Sequence, residues 1–513
     1  MLLFLLTLLD NMGLIEINEL IRRVSYCTHF KAVECESLTR NLLRRLERND
    51  VAGLRLNEDA WFQRVGRAIS SSTSLRKLVV EAYKDEEGEI WLGEMLQDLA
   101  YNRSIECLDL KMYECDPDLD IFHLLSPFLE HNHNLQHLSV FDSGVPKTFN
   151  SLVAALSKWK NSHLEHIRVC THGATAEQSA AFFDSVHNHR RLLAVIFDSI
   201  IIERMGCTAL AAFLDDPATK IQTLHLTHNN VDEGIDDECM EILSNAWINN
   251  CTLRSLSLRG NELSATGWRM LLTFISHSTC ALETLLLQDC FIGDESIGSL
   301  ADALTVKKSL KFLDLSYNAS VTLVGWQELS RCLRGSSSTL EELYLNGCDI
   351  NEEKALVLIA TLAENSSLKK LQVHRAALTD TFWEGLSHLL FDKEQSIEST
   401  YSSNHTFCSL YTGTSLPREI LSLLKINEHE NKSEVAHRKI IGQHFGGGEN
   451  GGAVNHVFAS LPEIVLPFVI EYLGRNNQYG LTPMYNAVRG YPAVCQIRSS
   501  CMIPRGIKRK EVV

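Results

Sequence analysis

Apolar residues recur along this chain in one dominant motif, with leucine or an equivalent at the first, fourth and sixth places of a six-residue stretch. Aligned on that LxxLxL pattern, the chain has twelve registers, starting at Val51, Leu75, Ile105, Leu135, Leu164, Leu192, Ile221, Leu253, Leu282, Leu310, Leu340 and Leu368. The starts span 317 residues in eleven intervals, about 28.8 on average. Within each register the apolar places alternate with polar ones, which predicts a short strand with one buried face. In "IQTLHLTHNNV", Ile221, Leu224 and Leu226 are expected inward, and Thr223, His225 and Thr227 outward. Between strands the period changes to 3.6, as in "VGWQELSRCLRG" and "EKALVLIATLAEN", so each unit returns through a helix. A fully buried leucine is worth about 1.5–3 kcal/mol, but a single unit cannot bury its own apolar face. Stacked neighbours bury it, and the prediction is a one-dimensional solenoid. Proline agrees, since none occurs between Pro217 and Pro417, where it would interrupt regular elements.

Three places after the last inward residue, successive repeats hold Asn229, Asn261, Cys290, Asn318 and Cys348. The chain leaves the strand here and its backbone groups lose their ladder partners. Asparagine can serve both kinds of group, and cysteine is a small, weak donor that tolerates burial. Cys290 and Cys348 therefore read as turn plugs, with no base nearby to make either a nucleophile. The period and the Asn/Cys turn place resemble the ribonuclease-inhibitor-like leucine-rich repeats, most closely over residues 221–378. The resemblance implies an α/β fold, a right-handed horseshoe solenoid with a concave parallel sheet and outer helices. Residues 51–200 keep LxxLxL but place Asp59, Tyr113, Ser143 and the "DSI" around Ser199 at the turn. The "GWQELS" helix start also resembles uncharacterised leucine-rich-repeat proteins of diatoms.

A solenoid needs caps. Residues 1–50 are expected to form an N-terminal helical cap, with "ESLTRNLLRRLERND" as its amphipathic helix. The solenoid is expected over 51–405, with a degenerate thirteenth repeat in which Ile397 is in phase and Thr400 and Ser402 stand where leucines would. A helical C-terminal region follows over 406–513, with a flexible link "GGGENGG" at 446–452 that lacks the Lys-Ser/Thr of a phosphate loop. The opening "MLLFLLTLL" has no basic flank and no small-residue cleavage site, so it reads as a buried helix of a cytoplasmic protein.

The net charge of −16 argues against nucleic acid or an anionic membrane as the main partner. Fifteen cysteines without a CxxC pair suit a reducing compartment and exclude the usual zinc modules. Six N-x-S/T sequons, at Asn102, Asn250, Asn318, Asn365, Asn404 and Asn431, are a number that chance can supply. Repeat alignment sets Cys107, His137 and His166 side by side, with His131 and His133 close in sequence, a set with metal-ligating chemistry. The block as a whole reads more simply as polar surface, and no cofactor is implied.

The outward strand places give the candidate protein-binding face: Arg168, His225, Arg259, Leu286, Gln288, Asp314, Tyr344, Gln372 and His374. Aromatic, arginine and short polar residues mixed with one leucine suit protein recognition. No Ser-His-Asp or paired-carboxylate arrangement stands out, and there is no GxxxxGK[ST] motif. The expectation is a non-catalytic interaction scaffold for a partner protein. The alternative is a regulator of another enzyme, of inhibitor or GTPase-activator type.

Overall fold

A computed structural model describes residues 15–16, 53–57, 62–83 and 96–440, apart from 114–119, 143–145, 160–162, 172–173, 229–234, 335–337, 392–399 and 401–402. The amphipathic segment before residue 51, the glycine-rich link and the apolar stretch after it lie outside the described residues. The chain divides into two compact units, Met1–Cys332 and Leu333–Val513.

In the N-terminal unit the described strands follow one another in chain order, each parallel to the next. They are β1 (Ile15–Glu16), β2 (Gly53–Asn57), β3 (Lys77–Tyr83), β4 (Cys107–Tyr113), β5 (His137–Asp142), β6 (His166–Thr171), β7 (Ala194–Asp198), β8 (Thr223–Thr227), β9 (Ser255–Ser257), β10 (Thr284–Leu286) and β11 (Phe312–Asp314). The C-terminal unit contains β12 (Glu342–Tyr344), β13 (Lys370–Gln372) and β14 (Ser409–Tyr411), also parallel. Helices alternate with the strands, as the change of period required; Leu323–Leu333 and Glu352–Glu364 are the two quoted above. The repeated α/β leucine-rich-repeat architecture is present in both units. Its inward places, such as Ile221, Leu224, Leu226, Leu253, Leu256 and Leu258, are buried.

β9 to β12, whose turn places hold Asn261, Cys290, Asn318 and Cys348, are three residues long, and so is β13, with Ala376 at that place. β4 runs through the equivalent place to Tyr113. From β8 to β13 the second residue after the last inward position takes positive φ, which turns the chain out of the strand: His228, Gly260, Asp289, Tyr317, Gly347 and Arg375 all do so. The polar side chain that follows then replaces the missing ladder. Asn318 Nδ2 donates to the carbonyls of Leu287 and Leu315, both at 2.8 Å, while its Oδ1 accepts the amides of Cys290 at 3.0 Å and Ile292 at 3.1 Å.

A second ladder lies at the opposite end of several strands, three residues before the first inward place. Asn102 Nδ2 donates to Ile69 and Ser72 carbonyls, and its Oδ1 accepts the amides of Ser104 and Ile105. Asn132, Asn250, Asn365 and Asn404 repeat this arrangement, and His189 takes the same place with a ring N–H donated to Leu156 O. Thr252 adds its hydroxyl to Ile221 O, as Ser104 does to Leu75 O. The N-x-S/T sequons at Asn102, Asn250, Asn365 and Asn404 are thus products of the repeat rather than of chance. At Asn102 and Asn250 the sequon also supplies the hydroxyl, of Ser104 and Thr252, that bonds the neighbouring backbone.

Two further results differ from the sequence expectation. The thirteenth strand does not start from Ile397. Phe407 holds the first inward place, and Leu410 pairs with Leu371 in β14. A longer connection after the helix Asp380–Leu390 displaces the repeat, and Asn404, three residues before Phe407, marks its true phase. Within residues 1–50, where only a helical cap was expected, β1 pairs Ile15 with Leu54. Beyond the last strand, Arg418–Asn427 and Lys432–Ile440 are helical, and Lys439 is fully buried with Nζ donating to Leu390 and Asn404 carbonyls, both at 2.7 Å.

Candidate functional site

The outward face of each sheet is built by strand alternation, so side chains two residues apart share it. In the N-terminal unit, register sets Arg168 opposite Ile196, Ile196 opposite His225 and His225 opposite Ser257. Leu286 lies between Ser257 and Asp314. Arg168, His225, Leu286 and Asp314 therefore stand in one row. Arg259 and Gln288 stand in the next, kept in step by the Gly260 amide donating to Gln288 O at 2.9 Å.

These residues differ in what they offer. Arg168 and Arg259 are exposed, while His225, Leu286 and Gln288 are half-buried. Arg168 Nη2 lies 3.4 Å from Asp198 Oδ2. Burial, followed by the charge of Arg168, pushes the His225 imidazole down to about 4, so it is neutral at pH 7. Asp314 is only 2% exposed. Its Oδ1 accepts the Ser316 amide at 2.9 Å and its Oδ2 a bond from Gln288, and burial raises its pKa. Asp314 thus lies beneath the face and orients Gln288. Ser257 and Ser316 are buried in the same way, and so is Thr227, which was expected outward. Short polar groups form the floor of this face and the longer side chains stand above it.

In the C-terminal unit, Tyr344, Gln372 and Tyr411 occupy one row. Lys370 Nζ sits 5.0 Å from the centre of the Tyr344 ring and 3.3 Å from Glu342, to which Tyr344 Oη donates at 3.0 Å. Asn346 Nδ2 donates to Gln372 Oε1 at 3.2 Å, and its Oδ1 accepts the His374 amide at 2.9 Å. The His374 ring stacks on Tyr411 with centroids 6.0 Å apart. Tyr411 is 53% exposed, yet the sequence reading omitted it because the thirteenth strand had been set out of phase. The N-H-T-F run at Asn404–Phe407, echoing the earlier sequons, was the signal that would have found it.

Cys107, His137 and His166 are brought together as expected, each opposite the next. The two imidazoles stack face to face, 4.4 Å apart and 17° from parallel, rather than turning their nitrogens to a common point. Burial and the neighbouring His166 lower the His137 pKa, and burial raises that of Cys107. His131 Nδ1 donates to Pro127 O at its helix end instead of joining them. Among the described residues no group of three or more His, Cys, Asp or Glu is arranged to hold a metal ion. Cys290 is 1% exposed, donates Sγ–H to Leu258 O at 3.2 Å and has its thiol pushed up to about 12 by burial. It fills a turn and is protected from chemistry there.

The stacked strand–turn–helix units, buried LxxLxL places and Asn/Cys turns define a leucine-rich-repeat protein. Its period and turn residues are similar to those of ribonuclease-inhibitor-like repeats. A family profile described as "Leucine Rich repeat" matches residues 249–272. Human NACHT, LRR and PYD domains-containing protein 12 is 26% identical over 325 residues, which is 63% of this chain and 30% of that protein. The mouse ribonuclease inhibitor is 27% identical over 270 residues, 52% of this chain and 56% of the inhibitor. The chain thus spans less than two thirds of the length of either relative. Among solved structures, the yeast Rad7 and Elc1 complex gives a TM-score of 0.40 at 16% identity, covering 66% of this chain and 84% of that one. An internalin from Listeria monocytogenes gives 0.33 at 14% identity, covering 67% and 88%. No helix among the described residues is long and apolar enough to cross a membrane.

Proposed function

We propose that this protein is a non-catalytic scaffold that holds a partner protein on the outward face of its repeat sheet. The observation that carries the reading is the composition of that face in the N-terminal unit. The exposed Arg168 and Arg259 guanidinium groups flank half-buried Leu286, Gln288 and a neutral His225 over a polar floor. Arginine beside apolar area is the mixture that yields strong contacts, and a neutral imidazole costs less to desolvate than a charged one. In the C-terminal unit, Tyr344, Gln372, His374 and Tyr411 offer aromatic surface whose orientation is held by internal hydrogen bonds and stacking, which lowers the ordering cost of binding.

The test is affinity capture of the full chain with reversible crosslinking, followed by the same capture with Arg168→Glu and Arg259→Glu. The scaffold reading expects a specific crosslinked partner that is lost or strongly weakened by charge reversal. Repeated recovery of the protein alone contradicts it. Unchanged capture by the variants moves the contact away from this face.

The ribonuclease-inhibitor relative supports a second reading, regulation of another enzyme. Inhibition of a ribonuclease by stoichiometric protein would establish it, and an unchanged cleavage rate would remove that case.

A further inference from the structure

The turn edge of the N-terminal unit carries a patch outside the strand face. Phe291 and Tyr317 are 59% and 48% exposed. Both hold positive φ, 53° and 63°, a region disfavoured for residues with a Cβ atom. Asn318 imposes this geometry, because its Oδ1 binds the amides of Cys290 and Ile292 on either side of Phe291, and Tyr317 directly precedes it. The aromatic side chains stand in solvent on turns that the buried asparagine keeps rigid.

Repeat equivalence adds two carboxylates. Asp289 holds the place of Tyr317 one repeat earlier, and Glu262 that of Phe291; both are exposed. The Asp289 amide donates to Ser316 O at 2.9 Å, which ties these turns at ladder spacing. Among the described residues neither carboxylate has an ion-pair partner. Glu262, then Asp289 and Phe291, then Tyr317 are therefore carried on three successive turns.

We infer that this edge docks a lysine- or arginine-bearing segment of a partner protein. The ring faces attract a cation, and Glu262 and Asp289 neutralise it. The net charge of −16 favours the approach of such a segment. The inference rests on the reading that the chain binds protein, and adds a contact surface and a partner chemistry to it.

Linear dodecapeptides displayed on phage are selected against the full chain, and the best is measured as free peptide by fluorescence anisotropy. The inference expects enrichment of Lys or Arg. It expects at least about tenfold weaker binding to Phe291→Ala/Tyr317→Ala and to Glu262→Gln/Asp289→Asn, with Glu130→Gln unchanged. Phe291→Leu/Tyr317→Leu keeps apolar area without the rings, so it also weakens binding and guards against a misfolded alanine variant. Selection of no peptide, or only of peptides lacking Lys and Arg, overturns the inference. So does a basic peptide indifferent to all three double variants. If Arg168→Glu/Arg259→Glu alone abolishes its binding, the edge fails while the sheet-face reading stands.

Discussion

Removing the Asn318 side chain tests the physical account of the turn most directly. Asn318 is 1% exposed and satisfies the amides of Cys290 and Ile292 and the carbonyls of Leu287 and Leu315. Asn318→Ala orphans both amides where water has little access. At about 1–3 kcal/mol per buried unsatisfied group, the two amides alone set a cost of about 2–6 kcal/mol. The carbonyls add less, because each keeps a second lone pair. Asn318→Cys restores a weak donor and only a weak acceptor, so its cost falls between alanine and wild type. In a repeat array the damage is local before it is global. The assay is therefore native-state hydrogen exchange of peptides covering residues 286–292, supported by urea denaturation. A stability loss under about 1 kcal/mol, or undiminished protection of the Cys290 and Ile292 amides, refutes the claim that this side chain holds the turn.

Other outcomes follow from buried groups. The Lys439 amine is held down to about 7, mainly by burial and then by Lys432. The unfolded lysine titrates near 10.4, so between these values the unfolded state binds more protons and stability rises with pH. The window is worth on the order of 4 kcal/mol. Lys439→Met removes that slope in the exchange of the last described helices, and an unaltered slope counts against the assignment. His225 behaves likewise between about 4 and its ordinary value near 6.5: stability falls as pH drops through this range, and His225→Asn flattens that part of the curve in chemical denaturation. Aromatic disulfide titration of the native protein labels exposed Cys251 quickly and leaves Cys290 and Cys348 silent until denaturant is added; early labelling of Cys290 contradicts its burial. If the chain is passed through a secretory pathway, intact mass shows no glycan on Asn102, Asn250 or Asn365, whose side chains are already bonded within the fold.

Much of the architecture was legible because each repeat states it again. The LxxLxL places report burial directly: an apolar side chain recurring at the stacking interval has nowhere to go but the shared core. The role of Cys290 was legible for the same reason, since Asn261 and Asn318 show what its place requires. Chain order and strand pairing followed as well, because a stacked repeat leaves each strand next to its successor. The thirteenth strand was misplaced where spacing alone was trusted. An enlarged connection changes the interval without disturbing the hydrogen-bond roles of Asn404 and Phe407.

What only the tertiary structure decided concerns polar groups shared between neighbouring repeats. The sequons at Asn102 and Asn250 look like isolated surface signals until their amides are seen against carbonyls 27 to 36 residues away in related pairs such as Asn132 with Ile105 and Asn250 with Leu214. Asp314 looks like an exposed acid of the sheet face, but Ser316 and Gln288 close over it. Phe291 and Tyr317 look unremarkable in the chain, and only the fold places both exposed on turns held by Asn318. Apolar periodicity records whether a side chain is buried, because burial depends mainly on the side chain itself. A polar group's accessibility and charge depend on which groups from other repeats lie within a few ångströms of it, and folding alone brings those groups together.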